Sequence, residues 1–130
     1  MRPVALNPDS LARPRGYSHG MKGAGDLVFV AGQVGWNREG RLVSDDLVLQ
    51  FGQALDNVLD VVWAAGGSPD SIVRLVLYVT DKKEYRLRGK PIGEAYRKRM
   101  GRHYPAMTLV EVKSLFEDDA RIEIEAVALV

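Results

Sequence analysis

The chain has 130 residues, of which 46% are hydrophobic and 27% are charged, and this length and composition predict one globular domain and exclude a disordered or fibrous chain. Its 18 basic and 17 acidic residues leave a formal net charge of +1. No overall field therefore favours nucleic acid or an anionic membrane as a partner.

Cysteine is absent, which excludes disulfides, thiolate nucleophiles and thiolate metal sites. The two histidines, His19 and His103, are too few for a typical zinc site without carboxylate help, so we predict no metal. No stretch approaches the roughly 18 apolar residues of a membrane span, and the N-terminus lacks the apolar core of a signal peptide. We therefore expect a cytoplasmic protein with no membrane partner.

Prolines at positions 3, 8 and 14 interrupt the start of the chain. Each proline keeps the preceding residue out of the helical region, so residues 1–15 are predicted as an extended segment and residues 16–130 as the single domain. A first strand is predicted from about Gly16. The β-branched and aromatic run Leu27–Gly32 predicts a second strand, and the glycines at positions 23 and 25 predict the turn between them.

Residues 32–43 are predicted as a further hairpin, with its tip at Asn37–Gly40. Trp36 lies at the approach to this tip. A large ring in that position is either a lid over a ligand or simply a cover for the core, and the sequence leaves both interpretations open.

Ser44, Asp45 and Asp46 provide an N-cap and favourable charges for a helix of about five turns. Its apolar residues recur at spacings of three and four, and the pattern stops before Gly66 and Gly67. These apolar residues are Leu47, Val48, Phe51, Leu55, Val58, Leu59 and Val62.

The run Ile72–Thr80 is the strongest strand signal in the chain. Asp81 and Glu84 fit a helix cap, but Pro91 interrupts the region that follows, so we predict a turn at 82–87 and a helix from Pro91 to Met100. Basic residues crowd positions 82–102. We interpret them as a solvated helix face, with nucleic-acid binding as the alternative.

Two alternating runs complete the chain, Met107–Val110 and Ile122–Glu125, with the acidic turn residues 117–119 between them. We predict a hairpin that brings Met107 near Glu123. The expected fold is an α+β two-layer sandwich, with a mixed sheet and two helices on one face. Because apolar residues point to both sheet faces, we expect the second face to be buried against another copy of the chain.

Several blocks carry a family resemblance: G-Y-S-H-G from Gly16, L-V-F-V-A-G-Q-V from Leu27, Q-F-G-Q-A-L-D-N-V-L from Gln50, Y-P-A-M-T-L-V-E-V from Tyr104, and I-E-I-E-A-V-A from Ile122. Across residues 16–130 the chain resembles the Rid family (RidA/YjgF, also labelled endoribonuclease L-PSP). The resemblance implies a fold like bacterial chorismate mutase and a homotrimer with small-molecule clefts between subunits. It also implies hydrolysis of reactive enamines or imines without metal or cofactor.

The resemblance assigns roles residue by residue. It implies that Tyr17 is a cleft tyrosine, that Gly32 offers a backbone contact and that Glu123 activates water. Met107 stands where the family has an arginine that clamps the substrate carboxylate. Methionine has no charge and no donor, so this chain looks like a divergent member.

Because Met107 replaces the expected arginine, other residues are candidates for contacting the ligand or for supplying the positive charge. His19, two residues after Tyr17, and Trp36 are candidates to contact the ligand. Arg38, Arg102 and His103, together with His19, are candidates to replace the missing cation. Met107 itself marks either a pocket remodelled for an uncharged ligand or a vestigial site.

Three functions therefore stay open: an enamine or imine deaminase with a substrate different from that of RidA, a non-catalytic ligand-binding protein on the same scaffold, and an RNA-binding or RNA-cleaving protein.

Overall fold

The computed structural model describes residues 2–130. Its strands are β1 (Val4–Leu6), β2 (Gly20–Lys22), β3 (Leu27–Gln33), β4 (Ile72–Val79), β5 (Ala106–Glu111) and β6 (Ile122–Leu129). Its α-helices are α1 (Leu47–Ala64), α2 (Lys82–Leu87) and α3 (Gly89–Met100), and a 3-10 turn spans Pro69–Ser71. The α+β class is confirmed, with three α-helices where two were expected.

The main sheet has four strands in the order β3-β6-β4-β5. β6 is antiparallel to both β3 and β4, whereas β4 and β5 are parallel. A parallel pair needs a long crossover, and α2 and α3 provide it. The predicted mixed sheet is confirmed.

The predicted hairpin between the last two strands is wrong. β4 lies between β5 and β6 and pairs with both. Period-two alternation specifies which face a side chain occupies, but it does not specify the neighbouring strand. The ten residues 112–121 are long enough to pass over the end of β4, so proximity in sequence does not produce a hairpin here.

The N-terminal strands also differ from the prediction. The strand expected from Gly16 begins at Gly20, and it pairs with β1 in a separate two-stranded sheet instead of pairing with β3. In the expected hairpin at 32–43, the tip at Asn37–Gly40 is present, because the Gly40 amide donates to the Asn37 carbonyl at 3.0 Å. The pairing itself is reduced to one bridge between Trp36 and Leu42.

The helix capping signals explain where the helices begin. The Asp46 side chain accepts from the Leu49 amide and caps α1. The cap was predicted within residues 44–46, but Ser44 itself accepts from the Asp46 amide instead of capping the helix. The Asp81 carboxylate accepts from the amides of Lys83 and Glu84, so residues 82–87 form a helix instead of the predicted turn. α3 begins at Gly89, which places Pro91 in its first turn, where a missing N–H breaks no helical hydrogen bond.

The core lies between α1 and the sheet. The buried face of α1 includes Phe51, Leu55, Val58 and Val62. It packs against alternate residues of the strands, namely Val30, Ile72, Leu75, Leu77, Ile122, Ile124, Ala126 and Ala128. Among residues 2–130, no helix is both long enough and apolar enough to cross a membrane.

Gln50 is a polar residue of α1 that is fully buried, with 0% of its surface exposed. Its amide nitrogen donates to the carbonyls of Ser44 (2.9 Å) and Asp119 (3.1 Å), and its oxygen accepts from the Arg121 amide (2.8 Å). Gln50 therefore joins the start of α1 to the loop before β6.

We expect Gln50→Leu to lower the free energy of unfolding by about 3 kcal/mol, because three backbone groups lose a buried partner. Gln53→Leu on the same helix is the matched control, since Gln53 is only half-buried and bonds to the side chain of Asn57 alone. Urea unfolding at one protein concentration measures both. Equal losses in the two variants would contradict the role of Gln50.

Candidate functional site

A cleft of about 550 Å³ opens between the helices and the edge strand β5. Met107 and Leu109 of β5 lie on the helix side of the sheet and pack against the core. Tyr17 borders the cleft from the N-terminal segment, and Tyr85 borders it from α2. The lining is mainly apolar and aromatic, as is usual for a small-molecule site.

Ser18 fixes Tyr17 at this cleft. The Ser18 hydroxyl donates to the Tyr104 carbonyl at 2.6 Å, and the Ser18 amide donates to the Pro105 carbonyl at 3.0 Å. Ser18 is buried, so both bonds are protected from water. The N-terminal segment is thereby attached to the residues just before β5, with Tyr17 beside Met107 in the lining.

Two tyrosines form one wall. The rings of Tyr96 and Tyr104 are stacked, with centroids 5.2 Å apart and planes 8° from parallel. The Tyr96 hydroxyl donates to the His103 carbonyl at 2.7 Å. A stacked, hydrogen-bonded pair is a stiff surface for an apolar ligand.

Burial raises the pKa of Tyr85 to about 12 and also raises the pKa of Tyr96. Both hydroxyls therefore remain protonated at neutral pH. Within residues 2–130, the tyrosine hydroxyls that form hydrogen bonds are those of Tyr78 and Tyr96. The hydroxyls of Tyr17, Tyr85 and Tyr104 are thus available to a ligand.

Glu123 lies on the opposite face of the sheet. Its strand neighbours Ile122 and Ile124 are buried in the core, so Glu123 points away from the helices. Its cross-strand partner is Tyr78, whose hydroxyl donates to Glu125. This hydrogen bond, with the added charge of Glu123, raises the pKa of Tyr78.

Gly32 is beside Glu123 on this second face. A Cβ on residue 32 would lie 2.8 Å from the Glu123 Cδ and would collide with the carboxylate. Only glycine leaves this space open. Glu123 makes no ion pair within residues 2–130, so its carboxylate is free to contact water or a ligand.

The structure therefore divides the predicted site residues into two groups. Tyr17 and Met107 border the cleft on the helix side, whereas Gly32 and Glu123 lie together on the other face. We call these the cleft half and the glutamate half. The predicted closeness of Met107 and Glu123 within one chain is wrong, because adjacent strand positions alternate between faces and β4 separates the two strands.

His19 and Trp36 lie outside both halves. The His19 ring is hydrogen-bonded through Nε2 to the Ala12 carbonyl at 2.6 Å and contacts Tyr17 edge-on. The Trp36 indole donates to the Gln33 side chain at 3.3 Å, and its carbonyl accepts from Asn57 at 3.0 Å. His19 is thereby bonded within the N-terminal segment, and Trp36 is bonded to a neighbouring side chain and to α1.

The candidate replacement cations do not border the cleft. His103 is hydrogen-bonded through Nε2 to the Ile72 carbonyl at 2.7 Å. Arg38 borders a separate depression beside Trp36, and Arg102 is exposed after the end of α3. The cations that do border the cleft are Arg15 and Arg97. The sequence did not reveal Arg97, because the placement of α3 beside β5 depends on the tertiary structure.

The basic segment at 82–102 is partly neutralised by acidic side chains. Arg88 pairs with Asp46 at 3.1 Å, and Arg99 pairs with Asp56 at 2.7 Å through two nitrogens of its guanidinium. Both pairs join α1 to residues at or within α3. They are consistent with the interpretation of these residues as a structural helix face. Within residues 2–130, no group of three metal-ligating side chains is arranged to hold a metal ion.

Comparison with known proteins identifies the family. Residues 8–130 match the family described as Endoribonuclease L-PSP. The chain belongs to this family. The L-PSP match includes both halves of the candidate site, and the predicted Rid resemblance is confirmed.

Relatives within the L-PSP family are similar over most of their length. A RutC family protein of Pyrococcus horikoshii is 34% identical over 86% of this chain and 85% of its own. The 2-iminobutanoate/2-iminopropanoate deaminase of Escherichia coli is 33% identical over 81% of this chain and 80% of its own length. The Rid protein YyfB of Yersinia pestis, described as of unknown function, matches the structure with a TM-score of 0.89, 32% identity and full coverage of both chains.

The raised pKa of Tyr85 predicts a loss of stability at high pH. Since the folded protein holds the proton up to about pH 12 and the unfolded chain releases it near pH 10, stability is intact below pH 10 and falls as the pH rises towards 12. We expect this residue to contribute about 2–3 kcal/mol of that loss. Urea unfolding of the wild type and of Tyr85→Phe from pH 9 to 12 measures the difference, and parallel curves would contradict the assignment.

Proposed function

We propose that the protein hydrolyses a small imine or enamine in a cleft formed between two copies of the chain, within a homotrimer. The observation that carries this proposal is the separation of Tyr17 and Met107 from Gly32 and Glu123 on opposite sheet faces. A complete site then needs the cleft half of one copy and the glutamate half of its neighbour. The E. coli relative named as an iminobutanoate/iminopropanoate deaminase supports the choice of reaction.

The sheet face that carries Glu123 supports association. On β3, Phe29 is 73% exposed and Leu27 is 60% exposed, and both point away from the core. Val127 and Leu129 continue this apolar surface on β6. An apolar sheet face with no covering layer favours burial against another copy.

The chemistry needs few groups. Glu123 accepts a proton from water while the oxygen bonds to the imine carbon, and the C=N electron pair moves to nitrogen and takes up a proton. Transfer of the proton from the new hydroxyl to the amino nitrogen, by way of the Glu123 carboxylate, then forms C=O as the C–N bond breaks and ammonia leaves. An enamine first becomes the imine by protonation on carbon. The net reaction is imine plus water to a carbonyl compound plus ammonia, with no cofactor.

Non-catalytic binding in the same cleft is the second candidate. It is favoured by Met107, which lines the cleft and offers neither a charge nor a donor hydrogen to a ligand. Turnover separates the two candidates, because a binding protein leaves the rate of imine hydrolysis unchanged.

A complementation experiment tests the shared cleft. Tyr17→Ala damages only the cleft half and Glu123→Gln damages only the glutamate half, and we expect each variant alone to lose about 100-fold or more in rate. When the two are unfolded together and refolded at equal amounts, about one cleft in four receives both intact halves at random. We therefore expect recovery of about a quarter of the wild-type rate, measured as ammonia released from imines made by an amino-acid oxidase.

Two results would decide against this arrangement. A mixture no more active than the separate variants would place the whole site within one chain. Full activity of Glu123→Gln alone would show that the Glu123 carboxylate does not activate water. Glu125→Gln is the matched control on the same strand. The Glu125 carboxylate accepts a hydrogen bond from the Tyr78 hydroxyl, so we expect this variant to keep the wild-type rate.

The oligomer itself is testable by light scattering. The chain mass is 14.4 kDa, so a trimer has a mass of about 43 kDa. We expect Phe29→Glu to shift the protein to the monomer, because a carboxylate would be buried without a partner. Leu49→Glu is the matched control, as Leu49 is 59% exposed on α1, away from the sheet face. A wild-type monomer, or a Phe29→Glu variant that keeps the wild-type mass, would contradict the interface.

A further inference from the structure

We propose that the cleft selects an anion that carries an apolar body of about the size of an aromatic ring, and that Arg97 holds the anionic group. This inference rests on the proposed function for the choice of site and names the substrate class for it: imines or enamines with a carboxylate and a large apolar side chain.

The position of Arg97 is the first support. Arg97 lies on α3, one turn after Gly93, and both residues border the cleft. A Cβ on residue 93 would lie 3.1 Å from the Arg97 Nη1. The guanidinium therefore lies against the glycine backbone at the wall of the cleft, where a side chain on residue 93 would displace it.

The charge of Arg97 is uncompensated. In the described part of the chain, Arg2, Arg88, Arg99 and Arg121 each have an acidic partner within 4 Å, but Arg97 has none. The nearest acidic residue in sequence on α3, Glu94, borders a different depression together with Lys98. A guanidinium without a carboxylate partner beside an apolar cleft is suited to bind a ligand anion.

The apolar lining of the same cleft defines the rest of the ligand. Met107 and Leu109 form it together with Leu77 and Ile92, and the stacked rings of Tyr96 and Tyr104 stand at its side. Burial of an apolar body against this surface is favourable, and a methionine adapts its shape to what lies on it. A ligand with only a small carboxylate would leave this surface exposed to water.

Arg15 is the other cation at the cleft, and it lies in an irregular part of the chain. It follows Pro14 in the N-terminal segment, whereas Arg97 projects from a regular helix that packs on α1. The helix fixes the backbone of Arg97 before the ligand arrives, so the conformational entropy lost on binding is mainly that of the side chain. We therefore assign the anion to Arg97 and only a supporting charge to Arg15.

Three non-reactive probes test the inference by calorimetry at low salt: phenylacetate, its neutral amide phenylacetamide, and acetate. We expect phenylacetate to bind at least about tenfold more tightly than either of the others. Arg97→Ala should lower the affinity for phenylacetate about tenfold and leave the affinity for phenylacetamide unchanged. Arg97→Lys should recover part of the lost affinity for phenylacetate. Lys98→Ala is the matched control, as it removes an adjacent exposed charge outside the cleft.

Several results would overturn the proposal. These are equal affinity for phenylacetate and phenylacetamide, equal affinity for phenylacetate and acetate, no binding of any probe, or an affinity lost in Arg15→Ala but not in Arg97→Ala. A thermal unfolding scan of each variant confirms that it is folded. Because the probes do not react, loss of the proposed hydrolysis would leave these binding results unaffected, and the two proposals fail separately.

Discussion

The position of β4 between β5 and β6 is the constraint on which the rest of the structure depends. Because β4 bonds to both neighbours, the strand that carries Met107 and the strand that carries Glu123 are held one strand apart. Side-chain alternation then turns Met107 towards the helices and Glu123 away from them. One covalent chain thus presents a hydrophobic cleft on one side and a free carboxylate on the other.

This separation changes how Met107 is interpreted, if it stands where the family resemblance implies an arginine. In a single-chain site, an apolar residue beside a catalytic carboxylate would weaken binding of an anionic substrate. On the helix side, however, Met107 lies among tyrosines and next to α3, where Arg97 brings a positive charge from another element. The absence of a cation at Met107 on β5 is therefore compatible with anion binding, provided that the anion lies near α3 and not near β5.

The sequence predicted those features that depend on local pattern. The apolar spacing of α1, the run of β4 and the capping signal at 44–46 all predicted elements that the structure contains, and the alternation in β6 correctly divided Ile122 and Ile124 from Glu123 and Glu125. Strand order could not be predicted in the same way, because the alternation of side chains along a strand is the same whichever strand it pairs with. The position of Arg97 could not be predicted for a related reason. It depends on how α3 packs on α1 and faces β5 across the cleft, and no sequence pattern within α3 specifies that arrangement.

The attachment of the N-terminal segment through Ser18 has a consequence for how the family diversifies. Two hydrogen bonds hold this segment against the start of β5, but none of its exposed residues belongs to the core between α1 and the sheet. Substitutions at positions such as Arg15 or Tyr17 can therefore change the lining of the cleft without disturbing the packing on which folding depends. On the opposite wall of the cleft this freedom is absent, because Leu77, Ile92 and Tyr96 line the cleft and also belong to the core. The N-terminal wall of the cleft can therefore vary in sequence while the opposite wall is constrained by folding.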